Sequence, residues 1–238
     1  MSKDRQSAVV LFSGGLDSTV VLYEAIKHFS KIYALTFDYG QRHLIELAYA
    51  NRTVVALQKQ GYSIQHQQVD IESVISTCCD SALITSELAS VPDAGEAATW
   101  IVPGRNLIFL SLAFAYAHKV ESSFVHIGVN ADDVVSGFHD CKYNFFIAAE
   151  EAANIGLGRQ WGTPHAETVM LCCPNYERSK QEVIERAGHL GIKLEDTWSC
   201  YNPTETAQPC QMCPACLLRK ESQSETRNTI STTEANGE

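Results

Sequence analysis

The chain has 238 residues, 18 Lys+Arg against 28 Asp+Glu for a formal charge of −10, and a 45% hydrophobic share. That apolar share excludes wholesale disorder, because enough side chain can be buried to offset the entropy of ordering. The acidic balance argues against an extended nucleic-acid footprint, and no apolar run reaches the ~18–20 residues that cross a bilayer.

Met1 to Ser7 is polar and shows no signal-peptide pattern, so a cytoplasmic setting is expected. Ala8 to Phe12 is a continuous apolar run, read as a strand buried on both faces. A helical spacing of Val20, Val21, Leu22, Ala25 and Ile26 follows from Ser18, then a strand over Lys31 to Asp38. His43 to Gln60 reads as an amphipathic helix closed by Gly61, and Ile64 to Val69 as a weaker strand. The stretch 71–103 fits the pattern poorly and is either a loop excursion or a small helical insertion. Leu107 to Val120 predicts a helix, Phe124 to Val129 a strand and Glu167 to Cys172 another. Ser179-x-x-Glu182 is a capping box opening a helix to Leu190, and the polar tail 221–238 reads as disordered. Alternating strand and helix predicts an α/β fold: a doubly wound, mostly parallel sheet with helices on both faces.

The nine cysteines are an odd number, which makes a disulfide framework a poor reading and favours metal or catalytic use. Cys200, Cys210, Cys213 and Cys216 offer four thiolates at short spacing, with Pro209 and Pro214 stiffening the loop. Such a donor set suits structural tetrahedral Zn²⁺, with a [4Fe–4S] cluster as the competitor. Cys78, Cys79, Cys172 and Cys173 read as small packing residues, and Cys141 sits inside a motif of its own.

The string Ser13-Gly14-Gly15-Leu16-Asp17-Ser18 directly follows the first strand. Its glycines let backbone approach a phosphate, the helix behind it presents unpaired N–H groups, and Asp17 can hold Mg²⁺ or orient the loop. No G-x-x-x-x-G-K-[ST] pattern occurs, which disfavours motor and switch NTPases.

S-G-G-x-D-S resembles the pyrophosphate (PP) loop of the ATP pyrophosphatases. Further strings narrow the likeness: Asp38-Tyr39-Gly40-Gln41-Arg42-His43, Pro103-Gly104-Arg105-Asn106, Gly137-Phe138-His139-Asp140-Cys141 and Thr197-Trp198-Ser199-Cys200-Tyr201. Together these are similar to the 7-cyano-7-deazaguanine synthase (QueC) family of queuosine biosynthesis, from about Ala8 to Arg219. The resemblance implies ATP-dependent adenylation of 7-carboxy-7-deazaguanine, displacement of AMP by free ammonia, and a second round that leaves the nitrile. It implies ATP, Mg²⁺ and Zn²⁺, a homodimer, and three segments: a PP-loop domain 1–196, a cysteine segment 197–220 and the tail. Ser13, Gly14, Gly15, Leu16, Asp17 and Ser18 would hold ATP. Asp17, Lys180 and Arg105 would be catalytic, and Asp38, Gln41, Arg42, His43, Arg105, Asn106 and Asp140 would line the base site. Lys180 could instead be a solvated first-turn lysine, and His43 either shuttles a proton or caps its helix.

Two departures fall in the expected substrate loop. The family's G-Y-P-D-C-R appears as Gly137-Phe138-His139-Asp140-Cys141-Lys142, and Asp133-Val134-Val135-Ser136-Gly137 is one residue longer than the family's D-x-S-G. An alternative follows: a QueC-like antiphage-defence enzyme that stops at the amide or joins the activated base to a partner protein's amine. A tRNA-thiolating relative with an iron–sulfur cluster and a non-enzymatic nucleotide-binding module are the other readings.

Overall fold

The computed structural model describes residues 7–79, 81, 83–84, 101–159, 168–213 and 215–220. The tail 221–238 and most of the excursion after Cys79 lie outside the described residues. Five parallel strands are β1 (Ser7–Leu11), β2 (Lys31–Asp38), β3 (Ile64–Asp70), β4 (Phe124–His126) and β5 (Met170–Cys172), in the order β3-β2-β1-β4-β5. Chain order reverses direction at β1, so a crevice opens between the ends of β1 and β4, the usual ligand position in doubly wound sheets.

Alternation along β1 explains why both faces are covered. Val9 and Leu11 enter one core with Tyr33, Leu35, Phe37 and Phe114, whereas Ala8, Val10 and Phe12 enter another with Val21, Leu22, Ala34 and Leu57. Helices α1 (Leu16–His28) and α2 (Ile45–Lys59) cover the second face, while α3 (Glu72–Cys78) and α4 (Arg105–Lys119) cover the first. A short α5 (Ala131–Val135), then α6 (Tyr143–Gly156), α7 (Lys180–His189) and a turn of helix at 215–220 follow; α7 packs on α1 through Leu16, Val20, Val183 and Ala187.

The stretch after Asp70, read as a loop excursion or a small helical insertion, begins with the helix α3. Three segments differ from the reading of the sequence. The Phe124 strand ends at His126, because Gly128 must lie against α1: a Cβ there would come within 2.8 Å of the Ser18 N. Helix α6 carries its apolar side on Phe146 and Ala149, with no side chain capping its start at Lys142. Cys78, read as packing, is exposed.

No described helix is long and apolar enough to cross a membrane.

Candidate active site and cysteine knuckle

A cavity of about 540 Å³ opens along the C-terminal ends of β1, β2 and β4. One end is built around the 13–18 loop. Gly15 is the N-cap of α1 and no side chain caps the helix, so its first turn faces the cavity without a built-in acceptor. Ser13 and Ser18 hold each other: the Ser13 N–H donates to Ser18 Oγ at 3.2 Å, and Ser18 Oγ donates to the Gly15 carbonyl at 3.1 Å. Gly14 is required by both conformation and space. Its φ is +89°, and a Cβ would meet Ala50 N and Glu46 O of α2 at 2.6 Å.

Lys180 is the first residue of α7, where a cation opposes the helix dipole. It is nevertheless buried, and its Nζ pairs with Asp17 Oδ2 at 2.5 Å. The solvated-lysine alternative is thereby set aside. Asp17 also accepts from Asn130 Nδ2 at 2.8 Å, and Asn175 Nδ2 donates to the Asp17 carbonyl. Asn130 caps α5 in a box with Asp133, and Asp132 Oδ2 accepts from the Lys180 backbone N. Burial, then the neighbouring Asp17, pushes Asp133 up to about 6. Reading the motifs missed this Asn130-Asp132-Asp133 group, although N-x-x-D before a turn is itself a capping signal.

The other end is aromatic. Phe37 and Phe109 stack at 4.4 Å and 10°, Tyr39 tilts onto Phe109, and His43 lies between Tyr39 and Tyr201. Arg105 enters here with one hydrogen bond to a described residue, from Nη1 to the Tyr39 hydroxyl at 3.4 Å. Burial works against its charge, yet Tyr39, Tyr201 and Asp140 around it hold it firmly protonated. Glu46 lines the same end and accepts no hydrogen bond from any described residue; His43 Nε2 is 3.7 Å away. Burial pushes its carboxyl up to about 8, with Arg105 pulling the other way. Burial and then Arg105 drive His43 down to about 4, so its imidazole is neutral near pH 7.

Of the residues expected from the sequence, Ser13, Gly15, Asp17, Ser18, His43, Arg105, Asn106 and Lys180 come together around this cavity. Gly14 supports the loop from behind, and Leu16 is buried in the α1–α7 core. Four others have structural partners outside the cavity wall. Asp38 accepts the Gly40 N–H, and Gln41 braces the turn by bonding the Tyr39 N–H and the Phe37 carbonyl. The Arg42 N–H donates to Leu83, and Asp140 Oδ2 accepts the Asn106 N–H that opens α4. Cys141 lines the cavity, but burial pushes its thiol up to about 12, so it stays neutral. His139, one of the two unusual loop residues, is exposed.

The four C-terminal cysteine sulfurs lie within 4.8 Å of one another. Backbone N–H groups of Cys210 and Cys213 donate to Cys200 and Cys210 sulfurs at 3.2 Å, the bonding that steadies thiolates. Four soft donors this close, three of them buried, fit a tetrahedral metal with Zn–S bonds of ~2.3 Å. The knuckle touches the 13–18 loop directly. Trp198 donates its N–H to the Gly14 carbonyl at 3.0 Å and its indole N–H to Cys200 O at 2.8 Å. Arg219, on the turn of helix at 215–220, clamps Thr197 and Ser199 from the other side.

Comparison with known proteins agrees with this arrangement. Two solved structures share the fold: NMN synthetase from Francisella tularensis (17% identity, TM-score 0.51, covering 87% of this chain and 70% of that one) and a 4-thiouridine synthetase–RNA complex with bound ATP (19%, TM-score 0.50, 91% and 53%). The chain is 35% identical to a 7-cyano-7-deazaguanine synthase of Aquifex aeolicus, over 92% of this chain and 97% of that protein. It is 40% identical to one of Trichodesmium erythraeum, over 89% and 93% respectively. The family model described as queuosine biosynthesis protein QueC matches residues 7–227. With that match across nearly the whole chain, and with a nucleotide-type loop, a lysine-paired aspartate and a four-cysteine knuckle in one site, the chain belongs to the QueC family.

Proposed function

We propose that the protein adenylates 7-carboxy-7-deazaguanine with ATP, releases pyrophosphate, and amidates the acyl adenylate with free ammonia, continuing to 7-cyano-7-deazaguanine. One observation carries this reading: a single cavity joins the Asp17–Lys180 pair beside an uncapped helix start to the Arg105 guanidinium, which makes one hydrogen bond to a described residue. A phosphate chain and a carboxylate are the two anions these features suit.

In the proposed reaction ATP phosphates settle on the first turn of α1, and Lys180 neutralises charge on the departing pyrophosphate. Arg105 orients the substrate carboxylate, whose oxygen attacks the α-phosphorus as the bond to pyrophosphate breaks. Ammonia adds to the acyl adenylate, AMP leaves with the C–O electron pair, and a proton is lost to give the amide. A second ATP activates the amide oxygen, and loss of AMP and the nitrogen-bound protons leaves the nitrile. Mg²⁺ would be held by Asp17 and Asp132 together with phosphate oxygens, where it neutralises phosphate charge; hard carboxylate oxygens at this end fit it. Zn²⁺ at Cys200, Cys210, Cys213 and Cys216 would be structural, and the residues 197–220 would act as a clasp on the domain formed by 1–196. A homodimer in the cytoplasm completes the proposal; exposed Tyr143, Ile147 and Ile155 along α6 support a self-association surface.

The test is incubation with 7-carboxy-7-deazaguanine, ATP, Mg²⁺ and ammonia, read by mass spectrometry. Nitrile together with AMP is the expected outcome, and absence of AMP release would refute the reading. A second reading, transfer of the activated base to a partner protein's amine in antiphage defence, draws on the lengthened loop. Val135 there is 80% exposed, beside Ser136 and Phe138 of the cavity wall. An amide dead end with a matching mass gain on a co-purified protein would favour it.

A further inference from the structure

We infer that Glu46 is the residue that reads the base, its carboxylate accepting the two adjacent N–H donors of a guanine-type lactam and exocyclic amine. This rests on the proposed function and names a recognition residue for it.

Four carboxylates line the cavity: Asp17, Glu46, Asp132 and Asp133. Three are committed within the fold. Asp17 is held by Lys180 and Asn130, Asp132 by the backbone N–H of Lys180, and Asp133 by the Asn130 N–H at 3.0 Å. Glu46 alone among them accepts no hydrogen bond from a described residue, although its side chain is only 12% exposed. With no hydrogen bond from a described residue, burial keeps its carboxyl up at about 8 and mostly protonated near pH 7. Donors from a ligand offset that desolvation cost and draw off the proton, so the base is met by the carboxylate. The position agrees with that use. Glu46 lines the aromatic end with Tyr39 and Phe109, flat rings against which a planar base can stack, and with Arg105, which suits the carboxylate on the same ring.

The chemistry selects between the two bases the reaction brings. A carboxylate has acceptors only, and a guanine-type edge offers two donors side by side. Adenine instead places its amine beside a ring nitrogen lone pair, which a carboxylate repels. Asp38 and Asp140, the acids the motifs suggested, are spent on a turn and a helix start.

The experiment measures calorimetric binding of 7-carboxy-7-deazaguanine and of its analogue lacking the 2-amino group, to wild type, Glu46→Gln and Glu46→Asp. Binding of ATP alone serves as a check that each variant is folded. Wild type is expected to favour the amino compound. Glu46→Gln, which faces one N–H with its own amide N–H, is expected to lose that compound by about 30-fold and the analogue by much less. Glu46→Asp keeps part of the preference. An undiminished preference in Glu46→Gln would overturn the inference while leaving the proposed function standing. Failure of wild type to bind either compound while binding ATP would overturn both. Should Glu46→Gln lose ATP as well, Glu46→Asp and Glu46→Ala decide on the same preference.

Discussion

The two ends of the cavity are built on opposite plans. At the end proposed for phosphate each charged group has a partner among the described residues: Lys180 with Asp17, Asp17 with Asn130, Asp132 with the start of α7. At the aromatic end Glu46 accepts no described hydrogen bond, and Arg105 makes one long contact. The first plan suits a ligand part common to many enzymes, whose charge can be met by preorganised dipoles. The second leaves specificity to be completed by the ligand, since unpaired buried groups reject whatever fails to match them.

The sharpest way to break this comparison is to unpair the phosphate end. Lys180→Ala is expected to cut AMP formation by about 10³-fold, with the thermal midpoint nearly unchanged, because the loss falls on transition-state charge. A rate within tenfold of wild type would mean that the Asp17–Lys180 pair is only structural. Next comes Gly14→Ala, which forces an unfavourable φ and drives a Cβ into two backbone atoms of α2. We expect a loss of about 3 kcal/mol or more in denaturant melts, with ATP affinity falling in parallel.

His126 offers a contrast to Glu46: both of its ring nitrogens are buried without partners, yet it does not face the cavity. Burial, together with the nearby His28 and against Glu24, holds its imidazole down at about 4. The unfolded chain therefore takes up this proton near the ordinary pKa of ~6.5, before the folded chain does, so stability is full above that pH. It declines as pH falls toward about 4 and levels off below. Between pH 7.5 and 4.5 the contribution is about 2–3 kcal/mol, and His126→Leu should show an acid-induced loss smaller by that amount in chemical melts. The smallest effect is expected of Tyr39→Phe. Removing the hydroxyl that holds Arg105 at 3.4 Å should cost about 0.5–1 kcal/mol, visible as a raised KM for the carboxylate substrate with little change for ATP.

These expectations also mark what was readable from the chain. β2 was legible to the residue and the Ser179 capping box to the bond, because apolar runs and side-chain caps are local signals. The strand–loop–helix unit around Ser13–Ser18 was legible for the same reason. Helix α6 was not: polar Asn154 is buried while Ile147 and Ile155 are exposed, and no side chain caps its start, so the apolar periodicity is faint. The end proposed for the base was the least legible part. Asp38, Gln41 and Asp140 stand in distinctive strings because the turns they brace are demanding, whereas Glu46 becomes notable only because it accepts no hydrogen bond from a described residue.

The bond from Trp198 to the Gly14 carbonyl has a consequence for how the protein is made. Ser13–Ser18 leaves the ribosome early, but Lys180, Trp198 and the four cysteines that brace them follow more than 160 residues later. A nascent chain can fold its first strands and helices while this cavity is still missing a wall. Under the proposed function, competence for ATP would arrive as one late step, once the segment carrying Trp198 and the four cysteines has closed on the loop.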